Sequence, residues 1–377
     1  MASNPFHLAL RTSLGILPSD LLVAIQVTID DLVESTPKSF SIYCPLLLLP
    51  SHAFASDKWM RLFEKLGGEG RDGLMERLAA NMNVTHIALN APIAPVLKAT
   101  DREAANVQRR PNIAPLFGDF GPFVAEAPTT QDLSCALWVS TRQNGITQTW
   151  APLYTMFSRG NITEKARLLG LPAVKVSVEA PQGCTAVDMY AGIGYFVFSY
   201  VKAGCEKVLG FELNAWSVEG LRRGAGVNKW SCRVVRADEL GADLDLDFAD
   251  RVTVFEMSNE IAASVVARNR GKLPPVRHVN LGLLPTSRGA YAGAVQCLDP
   301  ELGGWLHVHE NFATKEIALK SEDVRKRIQV LVRESRGSEW RVELEHVERV
   351  KTYAPGVMHC VLDICVIPTE SRETTGH

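Results

Sequence analysis

In the first part of the chain, apolar residues recur at helical spacing in two stretches, Asp57 to Leu66 and Asp72 to Met82. A short apolar run, THIALN from Thr85 to Asn90, then reads as a strand. Gln108 to Pro122 is rich in Pro, Gly and Asn, which predicts an ordered loop or crossover rather than a helix. From about residue 156 the pattern changes to strands alternating with helices. Thr185–Met189, Lys207–Phe211, Cys232–Val235, His278–Leu284 and Gly303–His309 read as strands. A long helix near Lys315–Glu334 and two closing strands, Trp340–Val350 and Met358–Ile367, follow. Such alternation predicts a mostly parallel sheet of about seven strands, covered on both faces and ending in a hairpin. The expected organisation is a smaller N-terminal α+β region, 1–155, and an α/β domain, 156–377. One local echo stands out: FELNAWSVEGLRRG at 211–224 resembles FEMSNEIAASVVARNRG at 255–271, each a strand tip running into a helix.

The most informative run is VDMYAGIGYFVFSYVKAGCEKVLGFELN, Val187 to Asn214. It reads as strand, glycine turn, helix from about Tyr195, strand and acidic tip. Gly192 and Gly194 let a ligand approach the main chain, and the helix start behind them offers N–H groups and a partial positive charge. Glu212, 18 residues beyond Gly194, is placed to accept from two ribose hydroxyls. Taken alone, a G-x-G turn often does no more than tighten a loop; Asp188 before it and Glu212 after it make it a nucleoside-cofactor pocket. The pattern D-x-x-A-G-x-G lacks the third glycine that a pyrophosphate wants against its helix. A sulfonium cofactor has no phosphate and benefits from a carboxylate such as Asp188, so S-adenosyl-L-methionine is the better fit. The fold expected is thus a Rossmann-like, methyltransferase-type sheet. At the end of the third strand, Asp238 either accepts from an adenine amino group or sits in a solvated turn.

Composition narrows the setting. The 377 residues are 46% hydrophobic, enough for two real cores, and the net charge of −2 does not announce nucleic acid. Local basic clusters remain at Arg109–Arg110, Arg222–Arg223 and Arg268, Arg270 and Lys272, each readable as a solvated face or as phosphate contacts. No apolar run approaches a membrane span; CPLLLLP at 44–50 is bracketed by prolines. The first 19 residues carry Arg11 and no acid, only a faint targeting signature. Eight cysteines without a C-x-x-C pair read as reduced, buried thiols of a cytoplasmic protein.

Four motifs carry a resemblance that spans residues 156 to 363: MFSRGNITEKARL at 156–168, DMYAGIGYF with FELN, HVNLGLLPTS at 278–287, and VERVKTYAPGVMHCVLD at 347–363. Upstream, NGITQTWAPLYT at 144–155 and RRPNIAPLFGDFG at 109–121 look like fungal members. The chain resembles the tRNA wybutosine-synthesizing protein 2 family, related to the tRNA guanine-N1 methyltransferases that act beside the anticodon. The resemblance implies transfer of the 3-amino-3-carboxypropyl group of S-adenosylmethionine to carbon 7 of 4-demethylwyosine in phenylalanine tRNA, with 1–155 as the tRNA-recognition and linker region. It places cofactor contacts on Ser158, Lys165, Glu212 and the Asp238–Glu239 pair. The FSRGN segment also reads as a helix start capped by Ser158 or Asn161.

Two departures from the family pattern matter. Glu239 stands where an asparagine is usual, and about 25 extra residues, from near Val252 to Arg277, either extend the substrate surface or lengthen a loop. Asn280 opens NLGLLP where related enzymes place a side chain beside the reacting base; a strand-end asparagine satisfying nearby backbone is the alternative. His307 and His309 lie two apart on a strand and so face one side. Without a third ligand at suitable spacing no metal is expected; His309 or Glu310 is a candidate for removing the proton lost from carbon 7. Rival readings are methyl transfer to guanine N1 of the same tRNA, and a tRNA-binding protein that keeps the fold without turnover.

Overall fold

A computed structural model of the protein describes residues 4–90, 111–124, 128–241 and 244–369. It divides into two compact units, residues 1–141 with 149–157 and residues 142–148 with 158–377.

The first unit begins with helices α1 (Pro5–Leu14), α2 (Ser19–Ala24) and α3 (Ile29–Glu34), then β1 (Ser41–Tyr43), β2 (Leu46–Pro50), α4 (Asp57–Asn81), β3 (His86–Asn90), β4 (Ile113–Phe117) and α5 (Thr130–Cys135). The strands form a sheet in the order β1-β2-β3-β4 with β2 and β3 parallel. Its core gathers Phe6, Leu10, Trp59, Leu62, Leu74, Leu78 and Ile87. The two helical stretches expected from periodicity are the two halves of α4, two helices that meet at a kink at Gly67, whose φ of 64° leaves the helical region. β4 corrects the reading of 108–122 as loop. It pairs antiparallel with β3 at the end of the sheet, an edge place where a strand tolerates Pro115. Arg109 and Arg110 lie outside the described residues. A hairpin of β5 (Val139–Gln143) and β6 (Ile146–Trp150) follows. Its turn, Asn144–Gly145, has φ of 52° and 72°, the left-handed pair a two-residue hairpin needs.

The second unit continues with α6 (Ile162–Gly170), α7 (Pro172–Glu179), β7 (Thr185–Asp188), α8 (Val197–Ala203), β8 (Lys207–Phe211), α9 (Ala215–Val227), β9 (Cys232–Val235), β10 (Val252–Phe255), α10 (Ala262–Asn269), β11 (Val276–Leu281), α11 (Tyr291–Cys297), β12 (Gly304–Ala313), α12 (Ile317–Arg336), β13 (Trp340–Ala354) and β14 (Val357–Pro368). The sheet runs β13-β14-β12-β11-β7-β8-β10-β9. β12 to β9 are parallel, and β14 and β13 close it antiparallel. Every residue of β7 and β10 is buried, as expected of parallel strands covered on both faces.

The sheet has eight strands, one more than expected. Residues 252–277 are neither a lengthened loop nor added surface: β10 and α10 form a strand–helix unit, and β10 inserts between β8 and β9. The sequence echo explains its place. Phe211 and Phe255 are register partners on β8 and β10, and their rings stack 4.7 Å apart.

Alternation sorts the sheet into two unlike faces. Val187, Leu209, Val279, Leu306, Val308 and Leu362 join one large apolar cluster with α10, α11 and α12. On the other face, β11, β12 and β14 bury His278, Asn280, His307, His309, His359 and Asp363.

Candidate active site

The site is built where β7, β8, β10 and β11 end. Asp188, the last residue of β7, is fully buried. Its Oδ1 accepts from the Tyr190 N–H at 3.1 Å and from Asn280 Nδ2 at 3.1 Å. Its Oδ2 has no hydrogen-bond partner, nor does Asn280 Oδ1. Burial pushes the Asp188 carboxyl up to about 6, against the pull of those two donors. A buried carboxylate oxygen and an amide oxygen, both unmet, favour a cation or hydrogen-bond donors.

The glycine turn follows. Gly192 has φ of 54° and Gly194 of 87°. The need for glycine at 194 is structural: a Cβ there would lie 2.7 Å from the Phe198 ring. The Gly192 N–H donates to Glu212 Oε2 at 2.9 Å, and the Asn214 N–H to Oε1 at 2.8 Å. The turn's N–H groups are therefore largely spent within the protein: Ala191 donates to Phe211 O and Gly194 to Ala191 O. Glu212 is thus clamped at the tip of β8, and each oxygen keeps a second lone pair for a hydroxyl. Burial raises its carboxyl above the usual range. Helix α8 starts at Val197, slightly later than the expected Tyr195.

Upstream, neither Ser158 nor Asn161 caps a helix with its side chain. The Ser158 N–H instead donates to Tyr195 Oη at 3.0 Å. Lys165 is 3% exposed. Its Nζ donates to Gln143 Oε1 at 2.7 Å and Gln148 Oε1 at 2.9 Å, and it stands 5.4 Å from the Tyr195 ring centroid. Burial lowers the ammonium to about 8. Helix α6, which carries Lys165, is anchored by Arg167. That guanidinium grips Glu164 and Asp363, and Asp363 also meets His307 Nδ1 at 2.7 Å.

Two expectations are corrected. Asp238 and Glu239 sit at the exposed tip of β9, and β10 separates that strand from β8. The position beside Glu212 belongs to the tip of β10, where Asn259 Nδ2 donates to Met189 O at 2.8 Å. Sequence reasoning passed over Asn259, although FEMSNE was already noted as an echo of FELN. The second correction separates His309 from Glu310. His309 faces Phe196, ring centroids 5.0 Å apart, and its Nδ1 lies 3.0 Å from His359 Nε2. Burial and the neighbouring His359 hold it well below the usual imidazole range, and its Nε2 has no partner. Glu310 points to the opposite face, where its Oε1 accepts from Thr286 Oγ1, the Ser287 N–H and Tyr291 Oη. Those three donors make it the anchor of the segment after Pro285.

Four side chains of the described basic clusters have local partners. Arg222 and Arg223 pair with Glu219, Lys272 with Asp245, and Arg270 donates to the carbonyls of Gln296 and Leu298. Cys44 and Cys135 are exposed, contrary to the buried reading, whereas Cys184, Cys205, Cys297, Cys360 and Cys365 are buried. Among the described residues no group of three His, Cys, Asp or Glu side chains is arranged to hold a metal. No described helix is long and apolar enough to cross a membrane.

A parallel sheet with a carboxylate at the end of each of two adjacent strands, a glycine turn between them and a terminal antiparallel hairpin defines the Rossmann-like S-adenosylmethionine-dependent transferases. Known proteins narrow the class. Residues 140–262 match the TRM5/TYW2 methyltransferase domain. The chain is 39% identical over 345 residues to tRNA wybutosine-synthesizing protein 2 of Schizosaccharomyces pombe, covering 90% of this chain and 75% of the relative. It is 30% identical over 389 residues to the Saccharomyces cerevisiae protein of that name, covering 91% and 77%. The same fold is seen in the crystal structure of P. horikoshii TYW2 in complex with MeSAdo, with a TM-score of 0.54, 19% identity and coverage of 96% and 99%. Trm5b from Pyrococcus abyssi shares it at a TM-score of 0.52, 17% identity and coverage of 88% and 76%. The chain belongs to the tRNA wybutosine-synthesizing protein 2 family. It is an S-adenosylmethionine-dependent tRNA transferase, an aminocarboxypropyltransferase of wybutosine synthesis.

Proposed function

We propose that the site transfers the 3-amino-3-carboxypropyl group of S-adenosylmethionine to carbon 7 of 4-demethylwyosine in phenylalanine tRNA, in the cytoplasm, with tRNA recognition by residues 1–155 and chemistry in 156–377. The observation that carries the reading is the paired tip geometry: Glu212 clamped on Gly192, and Asp188 joined to Asn280 with an unmet oxygen on each. When bound, the sulfonium makes its three attached carbons electrophilic. The protein selects among them by position, since attack at the methyl is intrinsically easiest.

In this reading Glu212 accepts from the ribose hydroxyls, and Gly192 and Gly194 shape the turn beneath the nucleoside. The tip of β10 at Asn259, rather than Asp238 and Glu239, receives the adenine edge. Asp188 faces the cationic end, and Ser158 and Lys165 hold the methionine carboxylate. Asn280 meets the edge of the tricyclic base through its unmet Oδ1, which accepts. Carbon 7 forms a C–C bond to the γ-carbon as the C–S bond breaks, the pair passes to sulfur, and methylthioadenosine leaves. His309 accepts the proton from carbon 7 at Nε2, in the tautomer whose Nδ1–H donates to His359.

The test is to incubate the protein with tRNA containing 4-demethylwyosine and S-adenosylmethionine labelled separately in the methyl and carboxyl carbons. Carboxyl label in the base with release of methylthioadenosine is expected. Methyl label with S-adenosylhomocysteine would mean guanine-type methyl transfer, and cofactor binding without product a non-catalytic tRNA-binding protein. Asn259→Ala weakens S-adenosylmethionine binding and Asp238→Ala does not; the reverse pattern returns the adenine edge to β9.

A further inference from the structure

The motif VERVKTYAPGVMHCVLD forms the closing hairpin, and one of its side chains reaches the site. Lys351 on β13 is the register partner of His359 on β14. Its Nζ lies 3.5 Å from Ser158 Oγ. The same ammonium passes so close over Gly160 that a Cβ at 160 would fall 2.6 Å from it. Gly160 therefore keeps the path of this lysine open. Ser158 is held in turn by Tyr195 Oη, and Lys165 stands over the Tyr195 ring. Two lysines from distant parts of the unit thus converge on one serine and one tyrosine, directly after the glycine turn.

We propose that Lys351 determines which group is transferred, by holding with Ser158 the carboxylate of the 3-amino-3-carboxypropyl chain. An ammonium beside the Ser158 hydroxyl, with a second over the adjoining Tyr195 ring, favours an anion nearby. The anion nearest the turn that carries Tyr195 is the carboxylate of the co-substrate, because the nucleoside lies on that same turn. Fixing this chain at its far end restrains the γ-carbon while leaving the methyl group without a hold. Lys165, on α6 and bound to two glutamines, fixes one side of the carboxylate; Lys351 fixes the other. The inference rests on the reading that Asp188, Gly192 and Glu212 hold the nucleoside.

Calorimetric titration of the full chain with S-adenosylmethionine, S-adenosylhomocysteine and methylthioadenosine tests it, because the last lacks the carboxylate chain. Lys351→Met should weaken the first two by about ten- to hundredfold, the effect of one charge-assisted hydrogen bond, and leave methylthioadenosine unchanged. Lys351→Arg should recover part of the loss. With labelled co-substrate, Lys351→Met should also raise the ratio of methyl to carboxyl label in tRNA. Unchanged S-adenosylmethionine affinity overturns the proposal, and so does equal weakening of all three ligands, which would report a structural lysine. So does an effect confined to tRNA affinity, which would make Lys351 a phosphate contact. The nucleoside reading fails separately, if the unaltered protein does not bind methylthioadenosine or if Glu212→Gln leaves that binding intact.

Discussion

Leu306 and His307 are neighbours on β12 and both are buried, yet they face opposite worlds. Leu306 enters the large apolar cluster under α10, α11 and α12. His307 enters a polar chain in which Ser177 Oγ lies 3.0 Å from His278 Nε2, His278 Nδ1 3.2 Å from His307 Nε2, and His307 meets Asp363, which Arg167 also grips. The apolar face gains stability from area removed from water and needs no particular partner. The polar face costs desolvation at every group and is tolerable only where each finds a partner. Among its unmet atoms, which include His359 Nδ1, Asp188 Oδ2, Asn280 Oδ1 and His309 Nε2 are the ones assigned to ligands in the proposed function.

The contrast can be broken most strongly on the apolar side. Leu306→Ala should cost about 2–5 kcal/mol in denaturant unfolding, with no change in S-adenosylmethionine affinity of the folded protein. A loss of affinity equal to that of a site variant would show that the two faces are not separable.

Arg167→Met attacks the polar face and should cost about 2–4 kcal/mol near neutral pH, because Glu164 and Asp363 lose their shared cation. Burial opposes the charge on Asp363, but His307 and Arg167 prevail and hold its carboxyl well below the ordinary range. Such a depressed group stabilises above the unfolded value of about 4 and loses that contribution as pH falls through the acid range. The difference between parent and variant should therefore shrink below pH of about 4; a constant difference would rule out the ion pair as its source.

Asp188→Asn sharpens the comparison with the opposite sign. The folded carboxyl titrates near 6 because burial raises it, so the native state holds its proton more tightly than the unfolded chain. Its stability contribution is complete below about pH 4 and is lost as pH rises through 6. The asparagine variant should gain on the parent by about 1–3 kcal/mol between pH 4 and 7, while binding S-adenosylmethionine less well. A flat difference across that range would place the titration elsewhere.

The smallest effect is expected at Glu310, adjacent to His309 but on the other face. Glu310→Gln retains an acceptor for Thr286, Ser287 and Tyr291 and should change turnover less than about threefold and stability by under about 1 kcal/mol. His309→Ala should lower turnover by about a hundredfold, as loss of a general base does. If both variants turn over normally, no side-chain base is needed here; if Glu310→Gln is the slower, the proton leaves toward the opposite face.

Much of this was legible in the residues, and unevenly. The places of Asp188, Gly192 and Glu212 at two strand tips and the turn between them are legible because strand, turn, helix and strand follow one another without a break, and each placement is local. The side-by-side facing of His307 and His309 follows from the two-residue period of a strand; the same period puts Glu310 on the opposite face but was not applied to it. The hairpin turn at Asn144–Gly145 is equally local but was passed over. Asp238 and Glu239 were placed beside the nucleoside for the contrary reason: only the strand at 232–235 was read in full, residues 252–277 read as added surface or loop beyond a strand tip at Phe255, and which strand lies beside β8 is a matter of sheet order.

The chain itself thus determines the repertoire: alternating strands and helices, a glycine turn between acidic strand tips, an eight-cysteine composition without paired spacing, and family motifs dense enough to place it among tRNA transferases. Those features are carried by backbone preference and apolar periodicity over a few residues. Only the tertiary structure seats β10 inside the sheet, pairs Asp188 with Asn280, hands the Gly192 N–H to Glu212, and brings Lys351 to Ser158. Such contacts join residues far apart in the chain. They are selected by which buried polar groups can satisfy one another once the sheet has closed.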